Sequence, residues 1–127
     1  MKALIIKHAG VRYAVPLVSI GGIASIPRPL AASIVEGHLL PWVQLASGPK
    51  QLNDFLPQKP LDLGAIKPSS RLLHLHDCPE KVYLIEHAEG VEDVTPYSDP
   101  RFALDPKGQT VSFWTPAHTK NSTEFYS

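Results

Sequence analysis

Cysteine and long apolar runs are nearly absent from this chain. Cys78 is the only cysteine among 127 residues, so the fold does not depend on disulfide bonds or on an oxidising compartment. The first apolar run, residues 3–6, ends at Lys7 and is too short for the apolar region of a secretory signal. No stretch approaches the roughly 18 apolar residues of a membrane-spanning helix. We therefore expect a cytoplasmic protein that does not insert into a membrane.

An excess of charge of either sign is also missing. Twelve Lys and Arg residues balance twelve Asp and Glu residues, which argues against nucleic acid and anionic membranes as partners. The charge is nevertheless uneven along the chain. Residues 85–105 carry one base, Arg101, against six acids, namely Glu86, Glu89, Glu92, Asp93, Asp99 and Asp105. Two interpretations are open. The acids are either solvated side chains of surface loops or groups that attract a basic surface of a partner.

The common catalytic motifs are missing too. The sequence has no G-x-S-x-G elbow, no glycine-rich phosphate loop and no pair of carboxylates at a recognisable spacing. Because these motifs place a nucleophile, a phosphate site or an acid–base pair, their absence favours a protein without enzymatic activity. We expect no catalytic residues and no cofactor.

A set of metal-ligating side chains occurs at His74, His76 and Cys78. Residues at i, i+2 and i+4 of a strand point to one face, and Glu86 follows on the facing strand. Such a set can bind zinc, and a metal-dependent enzyme built on this strand is one hypothesis. The simpler interpretation is an exposed polar face of the strand, and on that basis we expect no bound metal.

Proline is abundant and favours short strands. Thirteen prolines are about twice the average usage, and with the glycines they interrupt the chain roughly every 8–12 residues, which is typical of β-sandwiches and β-barrels. We predict an all-β fold of about nine strands. One short helix is predicted over residues 49–55, because Ser47 is a suitable N-cap and Leu52, Phe55 and Leu56 have helical spacing.

The alternation of apolar residues within the strands predicts the core. Trp42 and Trp114 are expected to pack within the protein rather than to bind a ligand. The expected core includes Leu4, Ile6, Tyr13, Val15, Leu39, Leu73, Leu75, Leu84 and Val111. Four glycines at predicted turns are expected to have positive φ, a region that glycine enters most easily. They are Gly10, Gly37, Gly90 and Gly108.

Three segments of the chain carry the signals of one protein family. They are residues 5–16 (IIKHAGVRYAVP), 32–45 (ASIVEGHLLPWVQL) and 71–94 (RLLHLHDCPEKVYLIEHAEGVEDV). In order and spacing, these segments resemble the CheW-like adaptor domain over roughly residues 3–116. Gly37 and Pro41 match in the second segment, and Glu89, Gly90 and Val91 are the best match in the third.

The resemblance implies a fold of two small β-barrel lobes packed side by side. Residues 1–127 would form a single CheW-like domain, with lobe one at about residues 3–56 and lobe two at about residues 71–116. Residues 117–127 would be a frayed tail. Exchange of an edge strand between the two lobes is left open.

The resemblance also implies a function. CheW-like domains are non-catalytic scaffolds that link a chemotaxis-type histidine kinase to the cytoplasmic tips of receptors. The expected partner-binding turn consists of Val35, Glu36, Gly37 and His38, which align with the family's Asn-Leu-Arg-Gly. Glu36 stands where the family has arginine, and Gln44 stands where it has aspartate. The alternative is a small β-barrel module that binds another protein or a ligand and is unrelated to chemotaxis.

Overall fold

The fold is built from short β-strands. The computed structural model describes residues 1–27, 31–35, 37–56 and 61–114. The strands are β1 (Lys2–His8), β2 (Val11–Pro16), β3 (Ile20–Ala24), β4 (Ala31–Val35), β5 (His38–Leu45), β6 (Gly48–Asp54), β7 (Arg71–Leu75), β8 (Lys81–Ile85), β9 (His87–Asp93), β10 (Thr95–Pro96), β11 (Phe102–Leu104) and β12 (Thr110–Phe113). Two 3-10 turns, Leu17–Ser19 and Leu63–Ala65, are the helical elements of the described residues. The all-β prediction is confirmed, and no helix in these residues could span a membrane.

The strands form two six-stranded mixed sheets. The terminal sheet has the order β10-β11-β12-β2-β1-β9, and the central sheet has the order β3-β7-β8-β6-β5-β4. One parallel pair occurs in each sheet, β12 with β2 and β6 with β8. The chain divides into two compact units, each of which is built around one sheet. The terminal unit consists of Met1–Val18 and the described residues from Ala88 onward, and the central unit consists of Ser19–His87. Within the described residues, hydrogen bonding closes neither sheet into a barrel.

The sheets divide the chain differently from the predicted lobes at residues 3–56 and 71–116. Each sheet takes strands from both of those ranges. Neighbouring strands from distant parts of the chain are responsible: β2 beside β12, β6 beside β8, β3 beside β7, and β1 beside β9. Hairpins have a local turn signal, whereas a parallel pair has none.

The terminal sheet is strongly curled. Its edge strands, β9 and β10, are separated in sequence by Val94 alone. A flat sheet of six strands would hold its edges about 24 Å apart at about 4.8 Å per strand. The two residue steps from Asp93 to Thr95 span at most about 7 Å. The two edges must therefore approach each other at this corner.

The predicted helix over residues 49–55 is wrong, because most of this segment is strand β6. Alternate residues of β6 are buried, among them Lys50, Leu52 and Asp54. This is the period of a strand, and the hydrogen-bonded neighbours on both sides, β5 and β8, fix it. Pro49 lies near the start of the strand, where prolines are tolerated. Leu52 and Phe55 are both buried, so helical spacing alone did not distinguish the two structures.

Several strands are buried on both faces. Seven members of the predicted core are buried, whereas Tyr13 is half-buried and the Leu39 side chain lies outside the description. Their immediate neighbours Ile5, Leu72 and Ile85 are buried as well. In the terminal unit, the buried cluster consists of Ala3, Ile5, Ala14, Val94, Ala103 and Val111. In the central unit it consists of Val43, Leu52, Leu72, Val82 and Leu84.

Candidate functional site

The turn expected to bind partners joins β4 to β5. Val35 pairs with His38 at the end of this hairpin, and Gly37 is exposed with a φ of 81°. The positive φ explains why glycine occupies this position, since side chains with a Cβ rarely adopt it. Glu36 and the side chains of Val35 and His38 lie outside the described residues.

The possible zinc ligands are not brought together. His74 lies in β7 and pairs with Val82, whereas His76 is exposed beyond the end of that strand. The Cys78 thiol accepts a hydrogen bond from the Tyr83 hydroxyl at 4.0 Å. Glu86 lies just beyond β8. Among the described residues, no three His, Cys, Asp or Glu side chains are grouped so that they could hold a metal ion.

The two tryptophans have different environments. Trp114 is 5% exposed, which confirms its predicted place within the protein. Trp42 is half-buried in β5, and its indole Nε1 is buried without a hydrogen-bond partner in the described structure. Trp42 pairs with Gln51 across the sheet, so its side chain lies on the same face as that residue.

The most highly connected charged site is centred on Arg12 in β2. Its guanidinium donates from Nε to Glu89 Oε1 at 3.1 Å and from Nη1 to Asp105 Oδ2 at 2.9 Å. A third carboxylate, that of Glu92, lies 3.7 Å from Nη2. Arg12 is two residues before Ala14 of the buried cluster, so its side chain leaves the same face of the sheet. Arg12 therefore shares one face of the sheet with a residue of the buried cluster of the terminal unit.

Two of these carboxylates come from the same strand, β9. Glu89 and Glu92 are three residues apart, and in a regular strand such residues point to opposite faces. Gly90 lies between them with a φ of 135°, outside the range of extended strands. Both carboxylates nevertheless reach the Arg12 guanidinium, Glu89 at 3.1 Å and Glu92 at 3.7 Å, although exposed and half-buried residues alternate along β9.

The third carboxylate is held in place by its own turn. Asp105 Oδ1 accepts hydrogen bonds from the backbone N–H groups of Lys107 at 2.9 Å and Gln109 at 2.8 Å. Only 2% of the Asp105 side chain is exposed. The hydrogen bond from Arg12 lowers the pKa of Asp105, and the backbone hydrogen bond from Gln109 contributes. Asp105 is therefore an ionised and pre-positioned acceptor.

An open cleft of about 540 Å³ surrounds the cluster. It is lined by Arg12, Glu89, Glu92, Asp105, Pro106, Lys107 and Gln109. The lining carries three carboxylates and two cationic groups, so one negative charge is in excess. The hydrogen bond to Asp105 is the main cause that raises the pKa of Arg12, and burial opposes it. The guanidinium stays charged and neutralises much of the negative charge around it.

Part of this cluster could be recognised from the sequence. All three carboxylates belong to the acidic stretch over residues 85–105, but their connection to Arg12 was missed. Arg12 is 77 residues from Glu89 and 93 from Asp105, and neither distance leaves a local signal. Two other acids of the stretch have different partners, since Asp93 pairs with Lys2 and Asp99 pairs with Arg101.

No protein-family model matches this chain, and no curated protein matches it either.

Proposed function

We propose that this chain is a non-catalytic CheW-like adaptor that links a chemotaxis-type histidine kinase to receptor tips in a bacterial chemosensory or related two-component complex. The observation that carries the proposal is the coincidence of the three resembling segments with paired strands. The segment over residues 5–16 contains most of the β1–β2 hairpin. The other two contain the β4–β5 hairpin and the β7–β8 pair followed by β9. A cytoplasmic location belongs to this proposal.

The proposed fold has two barrel lobes, one around each sheet. What supports it in the terminal unit is the single residue, Val94, between the two edge strands. The Val94 N–H donates to the carbonyl of Met1, the residue before β1, at 2.8 Å. The chain is therefore hydrogen-bonded next to β1 at the residue just before β10. A bent strand that pairs on both sides is one way in which a curled sheet becomes a small barrel.

The proposed partner-binding surface is the β4–β5 turn with Val35, Glu36, Gly37 and His38. Hairpin turns protrude, and exposed turn residues are free to contact a partner. Glu36 reverses the charge that the family's arginine has at this position. A receptor tip that presents an acid to that arginine would be repelled here, whereas one that presents Lys or Arg would be attracted.

Titration with the receptor fragment and the kinase regulatory domain from the same cell tests the proposal. Glu36→Arg is expected to change the affinity for the receptor fragment by about tenfold or more, with marked salt dependence. Asp77→Arg is the matched control, because Asp77 is an exposed acid in a different turn. Equal effects of the two variants would remove Glu36 from the interface.

Failure of the wild-type chain to bind either partner would overturn the adaptor proposal. The alternative, a small β-module with a different protein or ligand, would then be preferred. Affinity purification from the native cell separates the two hypotheses, because only the adaptor is expected to retain a histidine kinase or a receptor.

A further inference from the structure

The carboxylates around Arg12 come from separate parts of the terminal sheet. Glu89 and Glu92 belong to β9, which lies beyond β1 on one side of β2. Asp105 follows β11 and begins the turn to β12, which lies on the other side of β2. Arg12 therefore bridges two segments that have no other ion pair to each other among the described residues.

We propose that Arg12 is an electrostatic clamp that holds β9 and the turn at residues 105–109 across one end of the terminal sheet. When the clamp is released, that end opens while the β1–β2 hairpin stays folded. The inference is independent of the adaptor function, since it concerns only the terminal unit.

The lengths of the strands indicate which part opens. The β1–β2 pair has six paired positions and includes the buried residues Ile5 and Ala14. The β10–β11 pair has two positions and the β11–β12 pair has three. Segments with few backbone hydrogen bonds and few buried contacts open at the lowest free energy. The strand β9 is longer, but none of its seven residues is buried. We therefore expect the short strands and β9 to open before the hairpin.

The strength of the clamp comes from the attraction between the Arg12 guanidinium and the three carboxylates around it. Without the guanidinium, three carboxylates would face one cleft, and one of them, Asp105, would keep only its backbone donors. The other cation lining the cleft is Lys107, and Lys7 pairs with Arg12 across β1 and β2. The Lys2–Asp93 pair also connects β9 to β1, but both side chains are about two-thirds exposed. Exposed pairs of this kind contribute little.

Hydrogen exchange followed by mass spectrometry tests the clamp. In Arg12→Gln, we expect the amides of β9 and of residues 103–110 to exchange about tenfold faster or more, which corresponds to about 1.4 kcal/mol of opening free energy. The amides of the β1–β2 hairpin should keep the wild-type rate. Lys7→Gln is the control, because it removes a positive charge directly across from Arg12, and it should leave all rates unchanged.

A second variant separates the two arms of the clamp. Glu89→Gln combined with Glu92→Gln leaves the Arg12–Asp105 bond in place, so β9 should exchange faster while residues 105–109 keep their rate. If Arg12→Gln does not fold, this double variant decides the question. Unchanged exchange in β9, or equal acceleration throughout the β1–β2 hairpin, would overturn the proposal.

Discussion

Arg12 Nη1 lies 2.9 Å from Asp105 Oδ2, although 93 residues separate the two positions in the chain. The bond joins β2 to the turn between β11 and β12. Asp105 is already fixed by two backbone donors, so the guanidinium meets an acceptor that needs little further ordering. Such charge-assisted bonds are stronger than neutral ones.

The first prediction is a pH-dependent effect of Arg12→Gln. Arg12 lowers the pKa of Asp105 below its ordinary value of 3.8 in the folded protein. The resulting stabilisation is present above the unfolded pKa and is lost as the pH falls through the folded pKa. We expect wild type to be more stable than Arg12→Gln near pH 7, and the difference to shrink below about pH 4. Urea unfolding at several pH values measures both.

Lys7→Gln serves as the control for this pH dependence. Lys7 is exposed, and substitutions of exposed residues usually change stability by less than about 0.5 kcal/mol. A constant difference between wild type and Arg12→Gln from pH 7 to pH 3 would contradict the linkage to Asp105.

The second prediction concerns the turn that contains Gly37. A Cβ at this position would meet no atom within 4 Å, but φ is 81°. Gly37→Ala should therefore lower the free energy of unfolding by about 1–2 kcal/mol through backbone strain alone. Gly22→Ala is the matched control, since its Cβ also meets open space and its φ lies outside the positive range. If both variants unfold at the same denaturant concentration, the turn does not hold Gly37 in the left-handed region.

Local features of the fold could be predicted from the sequence. The four glycines expected to have positive φ all have it, with values of 79°, 81°, 135° and 81° along the chain, although Gly90 lies within strand β9 and not at a turn. Tight hairpins such as β1–β2 also follow from a local pattern of two apolar runs around a glycine. These predictions succeeded because the cause and its effect lie within a few residues of each other.

Long-range features could not be predicted in the same way. The parallel pairing of β2 with β12 and of β6 with β8 has no turn to mark it. The segment containing Leu52 and Phe55 was interpreted as helix because a spacing of three residues also occurs where a strand ends in a bend. Burial of both faces, as at Leu72 and Leu73, removes the alternation that sidedness depends on.

The charged cluster around Arg12 also depends on contacts between distant parts of the chain. The acids over residues 85–105 are visible as a stretch, but their common partner is Arg12, near the other end of the chain. The sequence around Arg12 does not indicate that three carboxylates from a distant part of the chain bind to it.

The third prediction tests the assignment of β6 as a strand in the core. Leu52 is 2% exposed and belongs to the central buried cluster. Leu52→Ala should lower the free energy of unfolding by about 2–5 kcal/mol, because it removes buried methyl groups and leaves a cavity. Gln51→Ala, one position earlier and half-buried on the other face, is the control and should cost much less. Similar losses in the two variants would contradict the alternation seen in β6.

The fourth prediction concerns a buried nitrogen. His74 Nε2 is buried and has no hydrogen-bond partner among the described residues. A buried polar atom without a partner loses its hydration and gains nothing in return, and its replacement by an apolar group is often neutral or stabilising. His74→Leu should therefore leave the free energy of unfolding unchanged or raise it by up to about 1 kcal/mol. His76→Leu, at an exposed position of the same segment, should change it by less than about 0.5 kcal/mol. A clear loss of stability in His74→Leu alone, measured by urea unfolding, would show that the imidazole makes a contact that stabilises the central unit.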